Sequence, residues 1–236
     1  MAAAGCGIMV VAATGQLGIV SVAAAPAPVV RGLDVSDHQA SVNWSAVRSD
    51  GAQFAYVKAT EGTGYVNPDF ASQYDGSYEA GLIRGAYHFA LPNNSSGAAQ
   101  ANYFVANGGG WSDDGRTLPG ALDIEGNPYG PRCYRLSRNA MVSWIASFDQ
   151  TYHALTSRWP VIYTNSHWWA TCVGGYRGFA SEDPLWLASF TDRPGPLPAG
   201  WAFYTFSQFA DAGTFPGDQD LFNGSSRRLL RLATGG

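Results

Sequence analysis

From Arg31 onward, short runs of β-branched and aromatic residues alternate with longer stretches in which apolar residues recur every three or four positions. Compact apolar runs of about four to eight residues read as strands, and a 3.6-residue period reads as helix. Strands are therefore predicted at Gly32–Val35, Phe54–Ala59, Leu82–Phe89, Gly120–Glu125 and Val161–Thr164. Between them, helices are predicted over Val42–Asp50, Asp69–Ala80, Ser95–Asn107 and Ser137–Leu155. Pro68 starts the second of these, where its missing N–H is harmless, and Gly81 stops it. The longest helix sets Met141, Trp144, Ile145 and Phe148 on one stripe. Two later strands, Leu185–Ala188 and Phe203–Gln208, have no clear helix between them, and Ser225–Ala233 closes the chain as a helix.

Strands alternating with helices imply parallel pairing through crossovers. About five such units, followed by strands without helices, predict an α/β fold: a single irregular TIM-like β/α barrel. An open doubly wound sheet is the rival, but no glycine-rich phosphate loop follows any strand.

Composition narrows the partners. The 236 residues carry 14 Lys+Arg against 18 Asp+Glu, a net charge of −4, and 46% are apolar. A mild acidic excess argues against nucleic acid or an anionic membrane as partner. Lysine occurs once among the basic residues, at Lys58, which reads as codon preference and not as chemistry. No charge precedes Arg31, and Ile8–Ala25 is apolar and small, ending in alternating alanines. That pattern predicts a cleaved secretory signal over residues 1–27, although its usual basic start is missing, and a single catalytic barrel domain over 28–236. The mature chain is then secreted; glycines and Gln16 within the apolar run argue against a membrane anchor, and no stable membrane association is expected after cleavage. Cys6 falls in the removed segment, so Cys133 and Cys172 are left to form one disulfide.

Asp123-Ile124-Glu125 is the most informative tripeptide. Residues two apart on a strand share a face, so both carboxylates project together while Ile124 packs against the opposite, helical layer. Paired acids at a strand's C-terminal end belong at a barrel mouth, where repulsion raises one pKa and provides an acid beside an ionised partner. Glycosidic bond cleavage requires that combination. Asp34 ends the first strand and Asp218 lies near the last, so three strand ends would converge on one mouth. Tyr65, Tyr87 and Tyr163 lie at or just after strand ends and are candidate sugar-stacking rings. His88, between Tyr87 and Phe89, reads as a hydrogen-bonded core residue. No Cys or His spacing suits a metal, no cofactor is implied, and no Gly-x-Ser-x-Gly elbow is present.

Across roughly residues 31–234 the chain resembles the lysozymes of glycoside hydrolase family 25, the Chalaropsis-type muramidases. The resemblance is carried in order by Arg31–Ser36, Tyr56–Gly62, Arg84–Phe89, Leu118–Glu125 and Phe222-Asn223-Gly224. It implies a β/α barrel that hydrolyses the β-1,4 bond between N-acetylmuramic acid and N-acetylglucosamine in bacterial peptidoglycan. It also implies that Glu125 is the general acid and Asp123 its partner, with Asp34 and Asp218 completing the groove. Two positions depart from the family pattern: His38 stands where an aromatic residue is common, and Asp220 where Asn is usual. Two alternatives remain, a catalytically inactive peptidoglycan-binding module and a barrel glycosidase acting on chitin. A monomer is expected.

Overall fold

A computed structural model describes residues 29–190 and 195–235. The predicted signal over residues 1–27, with Cys6, lies outside the described residues. The strands are β1 (Val30–Val35), β2 (Ala52–Glu61), β3 (Tyr65–Val66), β4 (Ile83–Phe89), β5 (Ala121–Asp123), β6 (Val161–Thr164), β7 (Leu185–Ala188), β8 (Phe206–Ala210) and β9 (Asp218–Phe222). The helices are α1 (Trp44–Ser49), α2 (Phe70–Glu79), α3 (Gly97–Phe104), α4 (Arg138–Thr156), α5 (Ser166–Cys172) and α6 (Ser226–Thr234).

The strands join in the order β1-β9-β8-β7-β6-β5-β4-β2-β3, and β1 also pairs with β2, which closes a barrel with β3 hanging outside it. Every barrel pair is parallel except those made by β9, which runs antiparallel to both β8 and β1. Five strand–helix units come first, then β7, β8 and β9 with no α-helix among them. The expected irregular barrel is therefore present.

Side-chain alternation divides the core. Phe54, Tyr56, Ala121, Val161, Trp186, Phe206 and Phe222 fill the inside of the barrel. The Tyr56 and Trp186 rings stack there, with centroids 4.8 Å apart. Gly32 and Gly85 make room for this packing: a Cβ on either would lie 2.5 Å from the Phe54 ring or 2.2 Å from the Tyr56 ring. Outside the sheet, Leu122 and Ile124 pack against the α4 stripe of Met141, Trp144, Ile145 and Phe148. Helix starts are held by side chains that accept from the first-turn amides: Asn43, Ser96, Ser137, Asn165 and Ser225 for α1, α3, α4, α5 and α6.

Several boundaries differ from the expectations. The predicted strand Gly120–Glu125 contracts to Ala121–Asp123, so Glu125 stands just beyond the sheet. The predicted strand Phe203–Gln208 shifts to Phe206–Ala210 and leaves Phe203 exposed. The chain after α3 widens into a π-type turn over Val105–Gly109, in which Gly108 takes a positive φ of 102°. Three elements were not predicted: the two-residue β3, α5, whose aromatic run hides its periodicity, and β9, whose inward residues include two aspartates. Cys133 and Cys172 are disulfide-bonded as expected, with Cα atoms 5.4 Å apart. No helix of the described residues is long and apolar enough to cross a membrane.

Candidate active site

At the C-terminal ends of the parallel strands lies a cavity of about 190 Å³. Each barrel strand contributes one wall residue: Asp34, Lys58, Tyr87, Asp123, Tyr163, Trp186, Gln208 and Asp218, from β1, β2, β4, β5, β6, β7, β8 and β9 respectively. Asp218 starts its strand instead of ending it. Because β9 runs antiparallel, its first residue pairs with Asp34 and reaches the same mouth. Glu125, immediately past β5, completes the acidic wall, and Ser36, His38 and Phe89 form its rim.

Gln208 organises one side. Its Nε2 donates to Asp34 Oδ2 at 2.7 Å and to Asp218 Oδ2 at 2.9 Å, while its Oε1 accepts from the Tyr163 hydroxyl at 2.7 Å. One layer deeper, Asp220 is fully buried and its Oδ1 accepts from Trp186 Nε1 at 2.8 Å. The Asp220 carboxyl is also hydrogen-bonded to that of Asp34. Asp220 Oδ2 is buried with no N–H partner, and burial followed by repulsion from Asp34 raises this carboxyl well above the usual carboxylate range. On the opposite side Lys58 Nζ donates to Glu61 Oε2 at 2.7 Å, and Glu61 Oε1 accepts from the Tyr129 hydroxyl at 2.7 Å.

The acids retain protons well above the usual carboxylate range. Burial, followed by repulsion from Asp218, pushes Asp34 up to about 7, against the hydrogen bonds from Gln208 and Asp220. Burial and then the neighbouring Glu125 also raise Asp123 well above the usual carboxylate range, with Lys58 opposing. Glu125 is raised by burial and then by Asp218. Asp123 was expected to remain ionised and to be the neighbour that lifts Glu125. Instead Asp123, only 7% exposed, bears the heavier desolvation, and Asp218 supplies the repulsion on Glu125. Asp123 Oδ1 is buried without a protein partner.

The structure brings Asp34, Asp123, Glu125, Asp218, Tyr87 and Tyr163 to one cavity. Tyr65 does not line it; it sits on the β3 hairpin with its ring 5.3 Å from Lys58 Nζ. His88 is a core residue, fully buried between Thr60 Oγ1 at 2.8 Å and Gln100 Oε1 at 2.9 Å. Lys58, set aside as codon preference, stands in the acidic wall, where its charge opposes the rise of Asp123. Gln208 and Trp186 were not singled out. The strand-end rule used for the tyrosines would have found Gln208, since it closed a predicted strand.

Glu125 also borders a second cavity, of about 400 Å³, on the side away from Asp34 and Asp218. It is therefore the carboxyl at the divide between two spaces, one walled by acids and the other by Asn127, Arg132, Asn165 and His167.

The sequence model of glycosyl hydrolases family 25 matches residues 33–218. The chain is 52% identical over 209 residues to lysozyme M1 of Streptomyces globisporus, covering 86% of this chain and 71% of that protein. It is 49% identical over 210 residues to the N,O-diacetylmuramidase of Chalaropsis sp, covering 87% of this chain and all of that one. The solved structure of a muramidase from Acremonium alcalophilum superposes with a TM-score of 0.86 at 52% identity, over 88% of this chain and 100% of the other.

Proposed function

Because this chain belongs to glycosyl hydrolases family 25, we propose that Glu125 is the general acid of a lysozyme that cuts the β-1,4 bond between N-acetylmuramic acid and N-acetylglucosamine. The chain is a glycoside hydrolase. Its substrate is bacterial peptidoglycan, as the names of its relatives indicate.

The position of Glu125 at the divide carries the assignment of roles. A bridging oxygen lies between two sugars, so its proton donor must reach both sides. Asp34, Asp123 and Asp218 face one side only, where negative groups favour the positive charge developing at the anomeric carbon. Both Asp123 and Glu125 hold protons more tightly than a free carboxyl, and the reaction spends the proton at Glu125, the less buried of the two. The unpartnered Oδ1 of Asp123 is available to orient the sugar's acetamido group. Tyr87 and Tyr163 line the space for the bound sugar, and Tyr65 is left with a place beside Lys58. We further infer a secreted monomer, with residues 1–27 removed and 28–236 as the catalytic unit.

Reducing-end release from purified cell walls, run beside colloidal chitin, tests the reading. Walls should be cleaved and chitin spared, with muramic acid at the new ends. Glu125→Gln should lower kcat by about 10²–10⁴-fold and leave wall binding intact. Binding without new reducing ends in the wild type would reassign the chain as an inactive module.

A further inference from the structure

We propose that the groove beyond Glu125 binds the leaving-side glycan through an anionic substituent, a carboxylate of the peptide stem, held by Arg132. The inference rests on the muramidase reading above and adds a substrate preference to it.

The two cavities differ in hydrogen-bonding character. The catalytic cavity is lined by acceptors: Asp34, Asp123, Glu125 and Asp218. In the groove of about 400 Å³, Glu125 shares the wall with Arg132, His167, Asn127 and Asn165. Both amide oxygens are already engaged locally. Asn127 Oδ1 accepts from Tyr129 N at 2.9 Å, and Asn165 Oδ1 accepts from Trp168 N at 2.9 Å. Each therefore presents its NH₂ outward, as a donor. Arg132 is exposed and, among the described residues, has no acidic partner, in a chain whose net charge is −4. A wall of donors around an uncompensated cation selects an anion or a carbonyl-rich ligand.

The position is fixed as well as the chemistry. Arg132 O accepts from Trp168 Nε1 at 3.1 Å and from Asn127 N at 3.2 Å. The next residue, Cys133, is bonded to Cys172 at the end of α5. The backbone around Arg132 is thus pinned to the helix that supplies His167 and Trp168, while its side chain is left for a ligand. A sugar whose C1 sits among the acids places its leaving partner on the other side of Glu125, in this groove. The leaving sugar at the cleaved bond is N-acetylglucosamine, and the muramic acid beyond it carries the peptide on its lactyl group, so the leaving strand brings carboxylates to that side.

The test compares two forms of one polymer: intact purified peptidoglycan, and the same glycan stripped of its peptides by an amidase, with the lactyl carboxylates this exposes converted to amides by carbodiimide and ammonia. Wild-type enzyme should cleave both, with the lower KM on intact material. Arg132→Gln should raise KM on intact peptidoglycan about tenfold, leave kcat unchanged, and have no effect on the stripped glycan. The backbone carbonyl performs the structural role at this position, so the substitution spares the fold; an unchanged Tm and the intact activity on stripped glycan check that. Equal losses on both polymers, or no loss on either, overturn the proposal. Failure of the wild type to cleave either polymer would instead overturn the muramidase reading.

Discussion

Asp34–Asp220 and Asp149–Asp183 are one chemical device built twice, once inside the barrel and once between α4 and the segment before β7. Both are pairs of buried aspartates whose carboxyls are hydrogen-bonded to each other. In both, burial is the largest cause of the raised proton affinity, taking Asp34 to about 7 and Asp183 to about 8. The inner pair is braced by Gln208 and Trp186, and Asp34 opens to the cavity. The outer pair joins α4 to the segment before β7, beside a space of about 140 Å³ shared with Trp159 and Tyr176. No other donor satisfies either oxygen of Asp149. A displaced pKa therefore reports burial and crowding, and is not by itself the mark of a catalytic acid. Access to the mouth separates chemistry from clamp.

The largest effect expected is on turnover. Asp34→Asn should reduce kcat on cell walls by about 10²-fold, because a negative group facing the developing charge is lost. Asp149→Asn should leave kcat within about twofold. Equal losses would erase the distinction between the pairs.

Asp220 sharpens it in a second way. Asn at this position keeps an acceptor for Trp186 and a donor toward Asp34, so folding should be preserved. Leu leaves the buried indole N–H unsatisfied and should cost about 1–3 kcal/mol in urea unfolding. Should Leu prove as stable as Asn, the hydrogen bonds around Asp220 contribute nothing.

The smallest effect concerns pH. The folded chain holds protons on these acids that the unfolded chain, with Asp near 3.9, has already released. The stabilisation is complete below about pH 4 and is lost as pH rises through about 7 for Asp34 and about 8 for Asp183. Calorimetric Tm should accordingly fall between pH 5 and pH 8. Asp149→Asn should flatten part of that slope, raising Tm at pH 8 by about 2–4 °C per kcal/mol recovered. A Tm that climbs over this range would contradict the assignment of protons to both pairs.

Much of the site was legible because period-two alternation and strand ends are local signals. Asp34, Asp123, Tyr87 and Tyr163 sit where those rules put them, and Glu125 needed only the end of β5 to fall one residue pair earlier. The illegible part is long-range. Nothing near Asp218-Gln219-Asp220 announces a strand: an inward face of two aspartates lacks the apolar pattern, and only pairing with β1 and β8 makes it one. The placement of Asp220 beneath Asp34, and of Gln208 between two acids, follows from that pairing alone. Lys58 was discounted on frequency, although an isolated lysine on the interior face of a strand is costly unless it meets an acid.

The antiparallel β9 also sets an order of events. Gln208 and Asp34 bond across 174 residues of chain, and β9 must slot between β1 and β8 before the ring is complete. Contacts of such separation form late, since loop-closure entropy is spent before they reward it. A nascent chain on the ribosome therefore carries three of its acids, Asp34, Asp123 and Glu125, long before it has a working mouth. Until β9 arrives, the edges of β1 and β8 are open templates for pairing with other chains. Hydrolytic competence and protection from aggregation should thus appear together, as β9 docks.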